Sequence, residues 1–294
     1  MKRYNLAIVL LILACVAVFC GYEALSYFLT DTTPPVIAMD EQIPELSVSD
    51  DRSLLLQGVT AMDEEDGDVT SSLVVEGVSL QDGEGTLLVK YAAFDSAGNV
   101  AKSQRKARYT DYEPPRFTLT GPLLYPAGSS FDVLGNVGAT DLIDGDIQHR
   151  VRATSQDEES IASTGTHTVK FQVTNSLGHT VSQTFPVEVY NAGMYEAELT
   201  LTDYLVYLDK GEEFEPEEYL DQFYLMGDEV NLKYGLPEDY SLKVTGNVHT
   251  RIPGVYSVKY RVTYTEYDER DPERTWKYVG YSKLIVVVGG KLNG

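Results

Sequence analysis

The chain has 294 residues, 45 acidic and 23 basic side chains, and a formal net charge of −22. That charge repels phosphate backbones, which excludes nucleic acid as a partner. It also repels anionic lipid head groups, so any membrane attachment has to be apolar. A hydrophobic content of 43% marks a globular chain, and the length suits two or three domains.

Lys2 and Arg3 precede an uncharged run from Leu6 to Tyr22, which Glu23 interrupts before Ala24-Leu-Ser-Tyr-Phe-Leu29. This predicts a transmembrane helix over 6–28, with 1–5 cytoplasmic and 31–294 outside, because flanking basic residues stay on the cytoplasmic side. A signal peptide cut near Ala24-Leu-Ser26, or a lipid on Cys15 or Cys20, are the alternatives, and both also export the rest of the chain. Those two cysteines are the only ones in the sequence. The exported part therefore has no disulfide, thiolate metal site or thiol nucleophile.

Beyond the apolar run the pattern is one of strands. Segments such as Leu87-Leu-Val-Lys-Tyr-Ala-Ala-Phe94, His167-Thr-Val-Lys-Phe-Gln-Val-Thr174 and Val255-Tyr-Ser-Val-Lys-Tyr-Arg-Val-Thr-Tyr264 are rich in β-branched and aromatic residues. Gly, Asp, Asn and Ser clusters with turn chemistry separate them. Four blocks recur in one order about eighty residues apart. Asp31-Thr-Thr-Pro-Pro35 matches Asp111-Tyr-Glu-Pro-Pro115, and Ala61-Met-Asp-Glu-Glu-Asp-Gly-Asp68 matches Ala139-Thr-Asp-Leu-Ile-Asp-Gly-Asp146. Gly85-Thr-Leu-Leu-Val-Lys-Tyr91 matches Gly165-Thr-His-Thr-Val-Lys-Phe171, and Asp95-Ser-Ala-Gly-Asn99 matches Asn175-Ser-Leu-Gly-His179. A tandem repeat follows, with units at 32–110 and 111–190 opened by rigid Pro-Pro pairs. A diverged third unit spans 191–288. It keeps Gly254-Val-Tyr-Ser-Val-Lys-Tyr260 and lacks the Asp-Gly-Asp block, and a short tail occupies 289–294.

These blocks resemble the bacterial immunoglobulin-like family of exported surface proteins and pesticidal crystal proteins, and are similar to hyalin-repeat sandwiches. The first unit carries the whole pattern with Leu87 at its usual tyrosine. The second has His167 there and ends on His179 instead of asparagine. The resemblance implies an all-β chain of tandem antiparallel sandwiches after one transmembrane helix, and modules without catalytic activity.

Asp63, Asp66 and Asp68 with Asp95 and Asn99, and the second unit's Asp141, Asp144 and Asp146, are hard oxygen donors of the kind calcium takes. The same sequences are also natural turns, with aspartate capping its own backbone. No other cofactor is expected. The four histidines are scattered, no Gly-x-Ser-x-Gly elbow occurs, and catalysis is not expected. A charged insertion, Glu266 to Arg274, predicts a long hairpin flanked by Tyr264, Tyr267, Trp276, Tyr278 and Tyr281. Such rings either stack on a sugar or partner, or pair across strands to stabilise the hairpin. The expected role is a membrane-anchored surface protein whose stalk presents a distal module for adhesion or protein interaction. The alternatives are carbohydrate or cell-wall binding, and an accessory factor of an envelope assembly or polysaccharide system.

Overall fold

The apolar run folds as α1, Lys2–Leu29. At about 1.5 Å per residue it exceeds the roughly 30 Å of a hydrocarbon core. Its window Ile8–Leu25 has a mean hydropathy of 2.5 and is not buried against the rest of the chain, so it is long and apolar enough to cross a membrane. The structure, a computed structural model, describes residues 2–130, 132–154, 163–193, 196–268 and 270–289. The predicted tail lies outside them from 290 onward.

After α1 the described residues form strands joined by turns and short 3₁₀ segments. The first compact unit closes at Asp111. Its strands are β1 (Val36–Met39), β2 (Glu45–Leu46), β3 (Val59–Asp63), β4 (Gly67–Asp68), β5 (Val74–Leu80), β6 (Thr86–Phe94) and β7 (Val100–Tyr109). They form two sheets, β1-β3-β4 and β2-β7-β6-β5, in which only the β2–β7 pairing is parallel. The alternation read from sequence places Val59 and Ala61 of β3 and Leu87, Val89 and Tyr91 of β6 inside. Two antiparallel layers with one buried face each make the sandwich.

The second compact unit runs from Tyr112 onward. It begins with β8 (Arg116–Leu119), β9 (Leu124–Pro126), β10 (Val137–Asp141), β11 (Gly145–Asp146), β12 (Arg152–Thr154), β13 (Gly165–Thr174) and β14 (Thr180–Tyr190). Sheets β11-β10-β8 and β12-β13-β14-β9 reproduce the first sandwich strand for strand, including the parallel β9–β14 pair. There follow β15 (Glu196–Leu201), β16 (Leu205–Leu208), β17 (Leu220–Leu225), β18 (Asp228–Asn231), β19 (Tyr240–Thr245), β20 (Gly254–Asp268) and β21 (Asp271–Val288). The order is the same again, but β21 is long enough to pair with both layers. It runs parallel to β15 through Val279–Tyr281 and to β16 through Ile285–Val288, which joins the two layers into one sheet.

The end of β21 serves two cores. Leu284, Val286 and Val288 pack with Leu199, Phe223 and Tyr260 of the third sandwich. Ile285 and Val287 point the other way, into the core of Phe117, Phe171 and Phe185 in the second. A strand covered on both faces has to be apolar at every position rather than at alternate ones, and Leu284-Ile-Val-Val-Val288 is. Just before it, the fully buried Lys283 donates from Nζ to the Pro186 carbonyl at 2.7 Å. Tyr207 donates to the Phe117 carbonyl at 3.1 Å. The second and third sandwiches thus share a strand's worth of core.

Because one strand faces both cores, Leu284→Ala and Ile285→Ala are each expected to cost about 2–5 kcal/mol. Both should lower one and the same unfolding transition of residues 112–289 in urea. Two transitions, each sensitive to only one of the variants, would show that the sandwiches fold independently.

Candidate functional site

The predicted acidic loops close one end of each of the first two sandwiches. At the end of β3, Asp63 Oδ1 accepts from the Glu65 and Asp66 amides, both at 2.9 Å. Gly67 then turns at φ 72, in the left-handed region that suits glycine. Asp66 reaches across to the β6–β7 turn and accepts from the Ser96 amide at 2.6 Å and hydroxyl at 2.9 Å. Asp68 caps the next turn through the Thr70 amide at 2.9 Å. Asp66 and Asp68 therefore tie loops, Asp66 through both oxygens and Asp68 through Oδ1.

Asp95 and Asn99 lie in that β6–β7 turn. Asp95 accepts from the Asn99 amide and from Asn99 Nδ2, each at 2.7 Å. Burial opposes its charge, but these bonds and those from the Gly98 and Ala97 amides outweigh it and hold the carboxyl below its ordinary range. Asn99 Nδ2 also donates to the Asp31 carbonyl at 3.1 Å, which fastens the segment leaving α1 to the turn. One carboxylate oxygen from each of Asp31, Asp63 and Asp95 lies within 4.8 Å of the other two. Of the predicted donors, then, Asp63 and Asp95 come together and Asn99 stands beside them. Asp31 joins them, although its place before Pro34-Pro35 reads in sequence only as a domain opener.

The second sandwich builds the same loops with a different end. Asp141 Oδ1 accepts from the Ile143 and Asp144 amides at 2.9 and 3.0 Å. Asp144 accepts from the Ser176 amide at 2.6 Å and from Arg150 at 2.7 Å, and Asp146 accepts from the Gln148 amide at 2.9 Å. Where the first repeat has Asp95, Asn175 donates from Nδ2 to Asp141 Oδ2 and to the Tyr112 hydroxyl, both at 3.1 Å. That hydroxyl, which burial pushes up to about 12, is hydrogen-bonded to His179 Nδ1 at 2.6 Å. Burial holds the His179 imidazole below its ordinary range, against the nearby Asp141 and Asp82 charges.

The five predicted aromatics separate. Tyr264 stacks on Tyr240 and Tyr278, with ring centroids 4.9 and 6.1 Å away, as a cross-strand ladder on the core face. Trp276 packs partly against that core under the Arg274 guanidinium, 5.0 Å from its ring. Tyr267, 57% exposed, is the ring that the hairpin presents to solvent. Tyr281 sits away from the tip, 5.1 Å from Tyr190, in a cleft of about 200 Å³ between the second and third sandwiches.

That cleft has a basic floor. Lys243, Lys259 and Arg261 line it, and Glu188 is the acidic residue in its lining. Lys243 lies opposite Arg261 across β19–β20, and Lys259 lies opposite Lys283 across β20–β21. Like charges directly opposite on a sheet are destabilising, and here two such pairs adjoin in a chain of strongly negative charge. Glu188 answers Lys259 at 2.6 Å and Lys283 at 4.0 Å. Glu196 acts on Tyr190 at the aromatic rim, where burial and that carboxylate push the phenol up to about 12. None of this was legible in the sequence, because the strands and the glutamate come from two sandwiches.

No protein-family model matches the chain, and no curated protein matches it. Among solved structures, a carbohydrate-binding module with GlcNAc and INT domains from Clostridium perfringens ZmpB aligns at 19% identity and a TM-score of 0.22, over 56% of this chain and 31% of that one. A protocadherin GammaB4 extracellular domain aligns at 12% identity and a TM-score of 0.19, over 88% of this chain and 50% of that one. The chain thus spans half or less of each. At such scores the sandwich architecture rests on the sheets themselves.

Burial pulls Lys283 down to about 8 from 10.5, with Glu188 opposing and Lys259 adding to the fall. Between those values the unfolded chain binds the proton and the folded chain does not, so stability rises with pH. The tyrosines whose phenols burial raises lose stability as pH nears 10, so the Lys283 contribution is read as a difference. From pH 8 to 10 the unfolding free energy of the parent chain should gain about 2 kcal/mol relative to Lys283→Met, in urea titrations at each pH.

Proposed function

We propose that this is a non-catalytic, membrane-anchored surface protein built from bacterial immunoglobulin-like modules, and that its fused second and third sandwiches bind an acidic carbohydrate of the cell envelope. The helix Lys2–Leu29 supports attachment to a membrane, and Lys2 and Arg3 before it support export of residues 31–294. The observation that carries the binding reading is the cleft floor, where Lys243, Lys259 and Arg261 lie together and Glu188 pairs with Lys259. Tyr281 and Tyr190 stand beside that floor with their rings at 46° to each other. Basic side chains recognise a carboxylate or phosphate, and an aromatic face recognises the apolar face of a sugar ring.

A second reading, docking of a protein at the β20–β21 hairpin, is favoured by one observation. Tyr267 is exposed beside an Arg274–Trp276 stack, and interface anchors are enriched in these residue types.

In the carbohydrate reading, the full chain in detergent micelles should bind glucuronic acid or glucose 6-phosphate and leave glucose unbound in calorimetry. Because Lys243 and Arg261 are exposed, Lys243→Ala with Arg261→Ala should retain the fold and weaken acidic-sugar binding at least about tenfold, the effect of losing charged contacts. Equal binding of glucose, or affinity unchanged in the double variant, would remove the cleft from the function. Loss of cell or protein adhesion in Tyr267→Ala alone would favour the hairpin.

A further inference from the structure

The two repeats supply an internal control for the acidic end of the first. Asp63 and Asp141 use Oδ1 identically, to hold the first two amides of the same turn. Their other oxygens differ. Asp141 Oδ2 receives the Asn175 amide at 3.1 Å. Asp63 Oδ2 is buried in a residue only 8% exposed and has no hydrogen-bond partner among the described residues. The residue at the Asn175 position is Asp95, another acceptor, and its oxygens already take both donors that Asn99 offers it. The third acid, Asp31, holds the Thr33 amide with Oδ1 at 2.8 Å. In the second repeat the corresponding Asp111 instead accepts from the Ser47 hydroxyl at 2.6 Å and the Val48 amide at 2.8 Å.

A buried carboxylate oxygen without a donor is costly, and two further carboxylates close to the same aspartate add repulsion. The second repeat relieves the same oxygen with an amide. The first holds three acids within 4.8 Å and offers no protein donor to that oxygen. What satisfies such a set is a hard divalent cation, which takes carboxylate and carbonyl oxygens and no nitrogen or sulfur. No lysine or arginine bridges these three acids among the ion pairs of the described residues.

We infer that Asp31, Asp63 and Asp95 form a calcium site in the first sandwich, and that the second sandwich carries the same loop with the ion replaced by the Asn175 amide. The site has a positional consequence. Asp31 follows the last residue of α1, Leu29, by two positions. An ion held there ties the segment leaving the helix to the β3–β4 turn and the β6–β7 turn at once. It therefore makes the joint between the membrane helix and the first sandwich depend on external calcium.

The test uses the full chain in detergent micelles, freed of metal with a chelator and titrated with calcium chloride in a calorimeter. One ion per chain is expected, with an affinity at or tighter than the roughly 10⁻⁴–10⁻³ M of extracellular calcium modules. Asp95→Asn copies the second repeat, so it should fold, and it should bind calcium at least about tenfold more weakly. Asp31→Asn should do the same. Calcium should raise the melting temperature of the first sandwich and slow protease cleavage over 30–35 in the parent chain, with neither effect in Asp95→Asn. Absence of binding at about 1 mM calcium would overturn the site. So would binding that both variants leave unchanged, which would put the ion elsewhere. Magnesium binding tighter than calcium would overturn the choice of ion.

Discussion

The second and third sandwiches depend on five residues at the end of the chain's last strand. In an ordinary two-layer sandwich each strand buries alternate side chains and wets the others. Leu284-Ile-Val-Val-Val288 has no wet side. Its even positions fill one core and its odd positions another. The second sandwich thus closes part of its core with side chains that lie about a hundred residues beyond its own last strand. The buried Lys283 and its partners Pro186 and Glu188 follow from that closeness, since the last polar side chain before the apolar run has to find its bonds across the same junction. The basic cleft opens where the junction ends.

Comparison within the chain does for the acidic loops what comparison between proteins usually does. Asp66 and Asp144 make the same tie to the amide of a serine, and Asp68 and Asp146 make the same cap. These residues hold loops together in both repeats whatever else happens there. At the Asp95 and Asn175 pair the chemistry changes from acceptor to donor, and the orphaned oxygen appears in the repeat that has the acceptor. A carboxylate and an amide are nearly the same size, so this difference is electrostatic and leaves the loop's shape alone.

Much of the architecture was legible from the residues. The repeat spacing, the alternation in strands such as Leu87–Phe94 and His167–Thr174, and the turn chemistry of Asp-Gly-Asp are local properties, and local periodicity decides which residues become strands. The third unit's kinship was carried by Gly254–Tyr260, which opens β20. The candidate donors Asp63 and Asp95 could be named because they sit in turns at strand ends, where one end of a sandwich gathers its loops. Tyr264, Tyr267, Trp276, Tyr278 and Tyr281 looked like one group because they are close in sequence. Strand alternation and a long hairpin sent them to a core ladder, a tip and a cleft.

By itself, then, the sequence determined the apolar helix, the all-β class, the two matched repeats and the acidic turns, because composition, period and turn propensity act over a few residues. Only the tertiary structure decided that Asp31 stands with Asp63 and Asp95, that Val287 belongs to a different core from Val286, and that Lys243, Lys259 and Arg261 share a floor with Glu188. Each of these is a meeting of side chains from strands far apart in the chain. Such meetings are set by which faces pack and in what register, and no short stretch of sequence carries that information.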